Sequence, residues 1–583
     1  MAWEGEIARI ELTLPRDHGI ELEMTLESGE PWRFSHASLA ADPWKPIDVH
    51  GLHLDRRVLP IEGLPSGYHR LEVRSGTADG TALVICAPKR CPRIDGSPWG
   101  GFLPLYAVRS RRNWGCGDFT DLADLCSWVA SLGGSTMGTL PLLPTFLHDP
   151  SPYSPVSRLF WNELFIDVER VPELERSAAA RELLASPGFA REIGRLRRTR
   201  SVDYRAVGEL KRRALELLAR AFHDGPATAR RRGLGSHAHE YARFRAACER
   251  HGGGWPHWPR RGRITVRDVD EEVVRYHQYV QGVAEEQLSA ASRDSRLYLD
   301  LPLGVNLGGF DTWKYRGAFA HGASGGAPPD VFFTEGQDWG FPPPHPEGIR
   351  ADGYAYFRAA LRHHLRHAGV LRVDHVMGLH RLYWVLPGMD ARSGVYVRYR
   401  ADELYAILAL ESHRAGAAIV GEDLGTVPTY VRPAMGRHGI MRSYVLELEA
   451  LLRPLRDPVR DSVASLNTHD LPTFAGFWEG PDVDVRLRRE LSAALRERGL
   501  LRRPGTAAAL RAALRFLAAS RARMVMVNLE DLWQERQPQN RPGTGPERHN
   551  WQRKARRTIE ALRMDRQIAG TLGEIHLLRG DHP

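Results

Sequence analysis

Cysteine is scarce in this 583-residue chain: Cys86, Cys91, Cys116, Cys126 and Cys248 form an odd, scattered set with no CxxC pair and no histidine at zinc-ligand spacing. That argues against a disulfide framework or a thiolate-held zinc, and it fits a reducing compartment. No stretch approaches the roughly 20 apolar residues of a membrane span. The start, Met1 to Ile10, carries acidic residues and no apolar run long enough for a signal peptide. The expectation is a cytoplasmic protein with no membrane partner. There is also no repeat of fixed period and no low-complexity tract.

What is present is ordinary for a soluble globular protein: 42% hydrophobic and 26% charged residues. The length exceeds one compact core, so two or three structural units are expected. A formal net charge of +9 raises the question of nucleic acid. Yet runs such as Arg197-Arg198-Thr199-Arg200 and Arg230-Arg231-Arg232 lie among Ala, Leu and Glu at helical spacing, which is how a solvated helix face reads. No recognition motif accompanies them and no nucleic-acid partner is expected; a gel shift at moderate salt tests this.

The first segment alternates at period two: Ile10, Leu12 and Leu14, then Ile20, Leu22, Met24 and Leu26, then Leu71 and Val73, then Leu83 and Ile85. Turn clusters such as Ser28-Gly29 and Pro65-Ser66-Gly67 separate the runs. Residues 1–92 therefore read as a small all-β sandwich. From 93 to 583 short apolar runs alternate with helical patterns, as in a parallel α/β sheet. Candidate strands lie at 102–107, 135–141, 296–300, 369–374, 417–422, 443–447, 463–467 and 524–528, a number that suits a (β/α)8 TIM barrel. Between the second and third lies an insertion at about 169–293, where Val207, Leu210, Ala214, Leu217, Leu218 and Ala221 form one apolar helical face.

Three of these runs end in a carboxylate: 370–373 before Asp374, 418–421 before Glu422, and 463–469 before Asp470. In a barrel the C-terminal strand ends converge on one mouth, so distant acids can meet. Glycoside chemistry with retention needs two carboxyl groups about 5 Å apart, one attacking the anomeric carbon and one protonating the leaving oxygen. Asp374 suits the attacker, because Arg372 projects from the same strand face two residues earlier. Glu422 suits the acid, since a carboxyl group near another negative charge in a partly dry pocket keeps its proton more tightly. Asp470 would steady the positive charge of an oxocarbenium-like transition state, with His469 beside it. Taken singly, each has a plainer reading: an Asp after a strand is more often a turn or cap, and a lone His more often a core residue.

The conjunction is specific. Leu371-Arg372-Val373-Asp374-His375-Val376-Met377, Val420-Gly421-Glu422-Asp423-Leu424-Gly425-Thr426-Val427-Pro428 and Thr468-His469-Asp470-Leu471-Pro472-Thr473 resemble, in order and spacing, the catalytic segments of the amylomaltases, or disproportionating enzymes. Further matches are Asn113 to Asp118, Ser151 to Pro155, Asp300 to Val305, Gly336 to Gly340, Asn540 to Thr544 and Asn550-Trp551. The resemblance spans about 100–565, and the leading β segment is similar to the N-terminal extension of the longer bacterial branch. It guides the count of eight strands given above and implies a 4-α-glucanotransferase acting on α-1,4-glucan and malto-oligosaccharides, with no cofactor and no metal. It further implies Asp374 as nucleophile, Glu422 as acid/base and Asp470 as third carboxylate. Arg372, His469 and Tyr153 would contact the sugar at the cleavage point, with Asn540 close by. Gln337 and Trp339 would bind further glucose units, and 321–330 resembles part of a loop covering the glucan.

Where other members carry acidic residues after the third strand, this chain has Asn306-Leu307-Gly308-Gly309, so Asp311 stands as the substitute sugar contact. A pyranose ring offers an apolar C–H face that packs on Trp or Tyr, which nominates Trp114, Tyr153, Trp313 and Trp339. Core packing is the alternative for each. Cys116 reads as a small packing residue. Two other functions remain open at this point: a retaining α-glucan hydrolase and a glucan-binding protein without turnover. The oligomeric expectation is a monomer or homodimer.

Overall fold

The structure is a computed structural model. It describes residues 1–15, 20–41, 47–49, 52–75, 78–225, 237–259, 263–293, 295–330, 333–450, 454–480 and 485–580. The run Arg230-Arg231-Arg232 lies outside the described residues.

Eight parallel strands close into a barrel: β1 (Trp99–Phe102), β2 (Thr136–Gly138), β3 (Arg296–Leu301), β4 (Ala368–Val373), β5 (Ala418–Gly421), β6 (Met441–Val445), β7 (Ser462–Ser465) and β8 (Met524–Asn528). The expected α/β barrel is present, with each strand overlapping its sequence candidate. The largest displacement is at β1, expected at 102–107. Pro104 cannot donate to a ladder, so the strand ends at Phe102 and Leu105–Ala107 form a 3-10 turn instead. The interior is filled by Tyr298, Val370, Val420, Met441, Val463 and Met526, with Ile94 in the same cluster. Gly100 faces the crowded β1–β2 ladder, where a Cβ would come within 2.5 Å of the Thr136 carbonyl.

Helices Ala178–Ala185, Pro187–Arg198, Tyr204–Asp224 and Ala238–His251 lie in the stretch between β2 and β3. On Tyr204–Asp224 the expected residues Val207, Leu210, Ala214 and Leu218 are buried, whereas Leu217 and Ala221 are half-buried; Leu215, Ala219 and Phe222 complete the buried face. The last helix of the stretch, Glu271–Ala291, leads directly into β3 and serves as its crossover.

Before the barrel, one sheet runs Ala2–Trp3, Ala78–Ala87, Gly67–Ser75, Ile20–Thr25, Pro31–Phe34; a second joins Ala8–Pro15, Leu52–Ile61 and Ala40–Ala41, with Ile47–Val49 on Leu52–Ile61. Leu14, Leu22, Met24, Leu59, Leu71 and Val84 share its core. Period two had placed Leu83 and Ile85 in this core. Instead Val84 and Cys86 face it, Ile85 and Ala87 join the core of the barrel side, and Leu83 is 38% exposed. Strand Ala78–Ala87 is thus covered on both faces, and Tyr68 on the neighbouring strand donates its hydroxyl to Glu411 of helix Ala401–Ala415 at 2.7 Å.

Candidate active site

Strand alternation delivers the acids. Along β4, Val370 points into the barrel, Arg372 follows on the same side and Asp374 reaches the rim. Along β5, Ala418 and Val420 line the interior and Glu422 follows at the rim. The register pairs Arg372 with Val420 and Val373 with Gly421. Continued one step, it sets Asp374 beside Glu422 with their backbones one strand spacing apart, about 4.8 Å. Two backbone bonds carry the pairing past the strand ends: the Glu422 N–H donates to Val373 O at 3.0 Å, and the Val376 N–H to Glu422 O at 3.0 Å.

Arg372 organises the floor. Its Nη1 lies 3.0 Å from Asp374 Oδ1 and donates to both oxygens of Asp300 at 2.8 Å. Asp374 Oδ2 receives the Leu303 N–H at 3.4 Å. Burial is the largest influence on Glu422 and pushes its carboxyl up to about 7. The Arg372 charge opposes the rise and the Asp374 charge adds to it, while the N–H groups of Leu424 (2.7 Å) and His375 (3.0 Å) hold it back. A carboxyl group protonated near neutrality beside a second carboxylate is the division of labour that acid/base glycoside chemistry requires.

Asp470 is tuned the other way. Its Oδ1 accepts Asn540 Nδ2 at 2.7 Å and its Oδ2 lies 3.2 Å from His469 Nε2. The surrounding protein works to raise its pKa, but His469, Asn540 and Arg372 together outweigh that effect and hold the carboxyl at about 2. Its side chain keeps 46% of its surface open to the mouth. His469 is shifted upward: burial opposes its charge, and the adjacent Asp470 prevails. Tyr153 stacks on His469 at 4.9 Å and donates to Asp300 Oδ2 at 2.7 Å, while Trp551 tilts against Tyr153 and His469 at 5.6 and 5.7 Å.

Asp374, Glu422, Asp470, Arg372, His469, Tyr153 and Asn540 therefore come together. Trp339 joins them through an edge-on contact with the His375 ring at 5.3 Å. Gln337 lies two residues away on the short strand Gln337–Asp338, at the edge of a sheet with Ser324–Ala327, Arg381–Val385 and Val395–Arg398.

Three expectations are corrected. Asp311 is 0% exposed and accepts from Ser157 Oγ (2.5 Å), the Arg158 N–H (2.7 Å) and Tyr356 OH (2.7 Å), so it braces the segment after Tyr153 and has no surface for a sugar. Trp114 is buried edge-on against Phe189 at 5.2 Å, with its N–H taken by Glu169 at 2.9 Å. Trp313 likewise packs with Phe244 and Phe310. Cys116 is fully buried, and burial pushes its thiol up to about 12. Conversely, Asp300 and Trp551 were visible only as motif members without a role. For Asp300 a signal existed: it follows Tyr298 by two residues on β3, the same inward alternation that nominated Arg372.

Comparison with known proteins identifies the family. Residues 103–559 match the family model described as 4-alpha-glucanotransferase, and residues 1–88 match the MalQ N-terminal beta sandwich domain. A 4-alpha-glucanotransferase of Mycobacterium tuberculosis is 34% identical over 574 residues, covering 87% of this chain and 78% of the relative. That of Haemophilus influenzae is 31% identical over 571 residues, covering 85% and 81%. The crystal structure of amylomaltase from Corynebacterium glutamicum superposes with a TM-score of 0.85 at 27% identity, covering 99% of this chain and 89% of that one. Amylomaltase from Streptococcus agalactiae in complex with acarbose shares the fold, with a TM-score of 0.72 at 19% identity, covering 84% and 100%. With most of its length matched by the family model and by relatives above 30% identity, the chain belongs to the 4-alpha-glucanotransferase family.

Proposed function

We propose that this chain transfers α-1,4-glucan segments from a donor malto-oligosaccharide to the 4-hydroxyl of an acceptor glucan or glucose by double displacement with retention. Asp374 attacks the anomeric carbon as the C1–O4 bond breaks and Glu422 gives its proton to the departing oxygen. Glu422 then removes the proton from the acceptor 4-hydroxyl, whose oxygen displaces Asp374. Asp470 steadies the oxocarbenium-like charge, and Arg372, His469, Tyr153 and Asn540 hold the sugar at the cleavage point. Trp339 and Gln337 bind glucose units further along, and a filled acceptor site keeps water out. The observation that supports this reading is the β4–β5 register, which brings Asp374 and Glu422 to neighbouring strand ends at one barrel mouth.

The division into an N-terminal sandwich, 1–92, and a catalytic barrel, 93–583, belongs to the same proposal, as does a cytoplasmic location, supported by the unpaired, buried cysteines. Among the described residues no helix is long and apolar enough to cross a membrane. Incubation with maltotriose tests the activity: a ladder of longer oligosaccharides plus glucose supports transfer, whereas maltose and glucose without elongation would mean hydrolysis. Asp374→Asn should abolish the ladder and Glu422→Gln should slow its formation at least about 100-fold. Full activity in both would overturn the site assignment.

A further inference from the structure

Glu530 and Asp531 are neighbours in the short helix Leu529–Leu532 after β8, and neither has a part in the chemistry above. Both are buried, at 1% and 0% exposure. A buried carboxylate is costly unless its oxygens are fully engaged, so their partners matter. Asp531 Oδ2 accepts the side-chain amide of Asn467 at 2.9 Å, and its Oδ1 accepts the backbone N–H of Phe474 at 2.7 Å. Those residues are the two ends of the segment that presents His469 and Asp470. One carboxylate closes that loop at its base. Asn467 is itself held, because its Oδ1 accepts Asn528 Nδ2 at 3.1 Å.

Glu530 does the equivalent for the opposing segment. Both of its carboxylate oxygens accept Gln539 Nε2 at 3.1 Å, one also takes Arg553 Nη2 at 2.6 Å, and its carbonyl receives the Glu535 N–H at 3.2 Å. Gln539 immediately precedes Asn540. The two braced segments meet at their tips in the 2.7 Å hydrogen bond from Asn540 to Asp470. Asp470 is half open to the mouth, so the base of its loop contributes to setting its position alongside the rings packed on His469.

We infer that Glu530 and Asp531 are positioning residues: by clamping segments 535–540 and 467–474 at their bases, they set the Asn540–Asp470 pair and through it the transfer step. The inference rests on the reading of Asp470 as the third catalytic carboxylate. A displacement of about 1 Å at a reacting geometry can cost roughly 100-fold in rate.

The test uses the full chain and maltotriose, with wild type, Asp531→Asn, Asn540→Ala and the double variant. A wild type that builds no ladder sinks the functional reading rather than this one. With an active wild type, Asp531→Asn should lower kcat about 10- to 100-fold and leave KM within about 2-fold, the mark of an interaction that matters in the transition state. In the Asn540→Ala background the same substitution should add clearly less than its single-variant loss, because both act on the position of Asp470. A wild-type kcat in Asp531→Asn, or single losses that multiply in the double variant, would overturn the inference. Should Asp531→Asn fail to fold, Glu530→Gln with Asn540→Ala makes the same cycle through the other brace.

Discussion

Glu422 can donate a proton only while it holds one, and its pKa of about 7, raised first by burial, sets where that stops. For the free enzyme kcat/KM should fall as pH rises through about 7. Glu422→Gln should lose about 10²- to 10⁴-fold in rate and lose that alkaline limb; with an α-glycosyl fluoride, whose leaving group needs no proton, the first step should recover. An unchanged limb in the residual activity would remove Glu422 from the role. The same shift has a stability sign. Because the folded pKa exceeds the unfolded one, folded chains hold more protons between about 4.5 and 7. Stability from this group is present below that window and lost as pH rises through it, so Glu422→Gln should gain about 3 kcal/mol over wild type between pH 4 and pH 8, read by chemical denaturation at both pH values. Asp300 makes a second case. It is 3% exposed and shares its oxygens between Arg372 and Tyr153, so Asp300→Ala leaves the buried Arg372 with Asp374 as its remaining carboxylate partner and should cost up to about 3 kcal/mol, together with kcat, since Arg372 also holds Asp374. The three carboxylates were legible in the sequence because strand alternation and the barrel mouth give a reason for acids at strand ends. Trp114 is misassigned because a motif tells which residue is present and not which way its side chain points, and Asp311, nominated where the motif is missing, because nearness in sequence does not reveal burial.

At the scale of elements, strand Ala78–Ala87 is the joint of the molecule. Val84 and Cys86 fill the sandwich, while Ile85 and Ala87 belong to the barrel-side core. Beside them, Tyr68 bonds Glu411, Arg358 lies 3.7 Å over the Tyr68 ring, and Trp3 stacks on His438 at 4.8 Å. A chain beginning at residue 89 would bare that apolar surface and leave Glu411 without its hydroxyl partner. It should express as an aggregating protein by light scattering; a soluble, fully active 89–583 would show the joint to be dispensable. This strand also marks where sequence reading reaches its end. Period two identifies a strand with one wet face, but when both faces are covered it cannot say which parity faces which core. The barrel strands were easier, being short apolar runs ended by turns and acids, and only at β1 did a proline, Pro104, cut the pattern early.

For the whole molecule, the deciding quantity is whether an acceptor sugar or water meets the glucosyl-enzyme. Trp339 is the aromatic side chain that links the four-stranded sheet of 324–327, 337–338, 381–385 and 395–398 to the catalytic rim, through its contact with His375 and its backbone N–H to Gly325 O at 2.9 Å. A pyranose ring packed on that indole would hold the acceptor and displace water at once. Transfer conserves the number of reducing ends, whereas each hydrolysis adds one, so the two fates are separable in a single tube. Trp339→Ala leaves the carboxylates in place and weakens the acceptor's hold. Bond cleavage should therefore persist while net reducing ends per cleaved bond rise several-fold, about the effect of losing roughly 1 kcal/mol of aromatic contact. A variant that loses cleavage and transfer in equal proportion would instead place Trp339 on the donor side, where its removal denies the enzyme its first substrate and leaves the competition with water untouched.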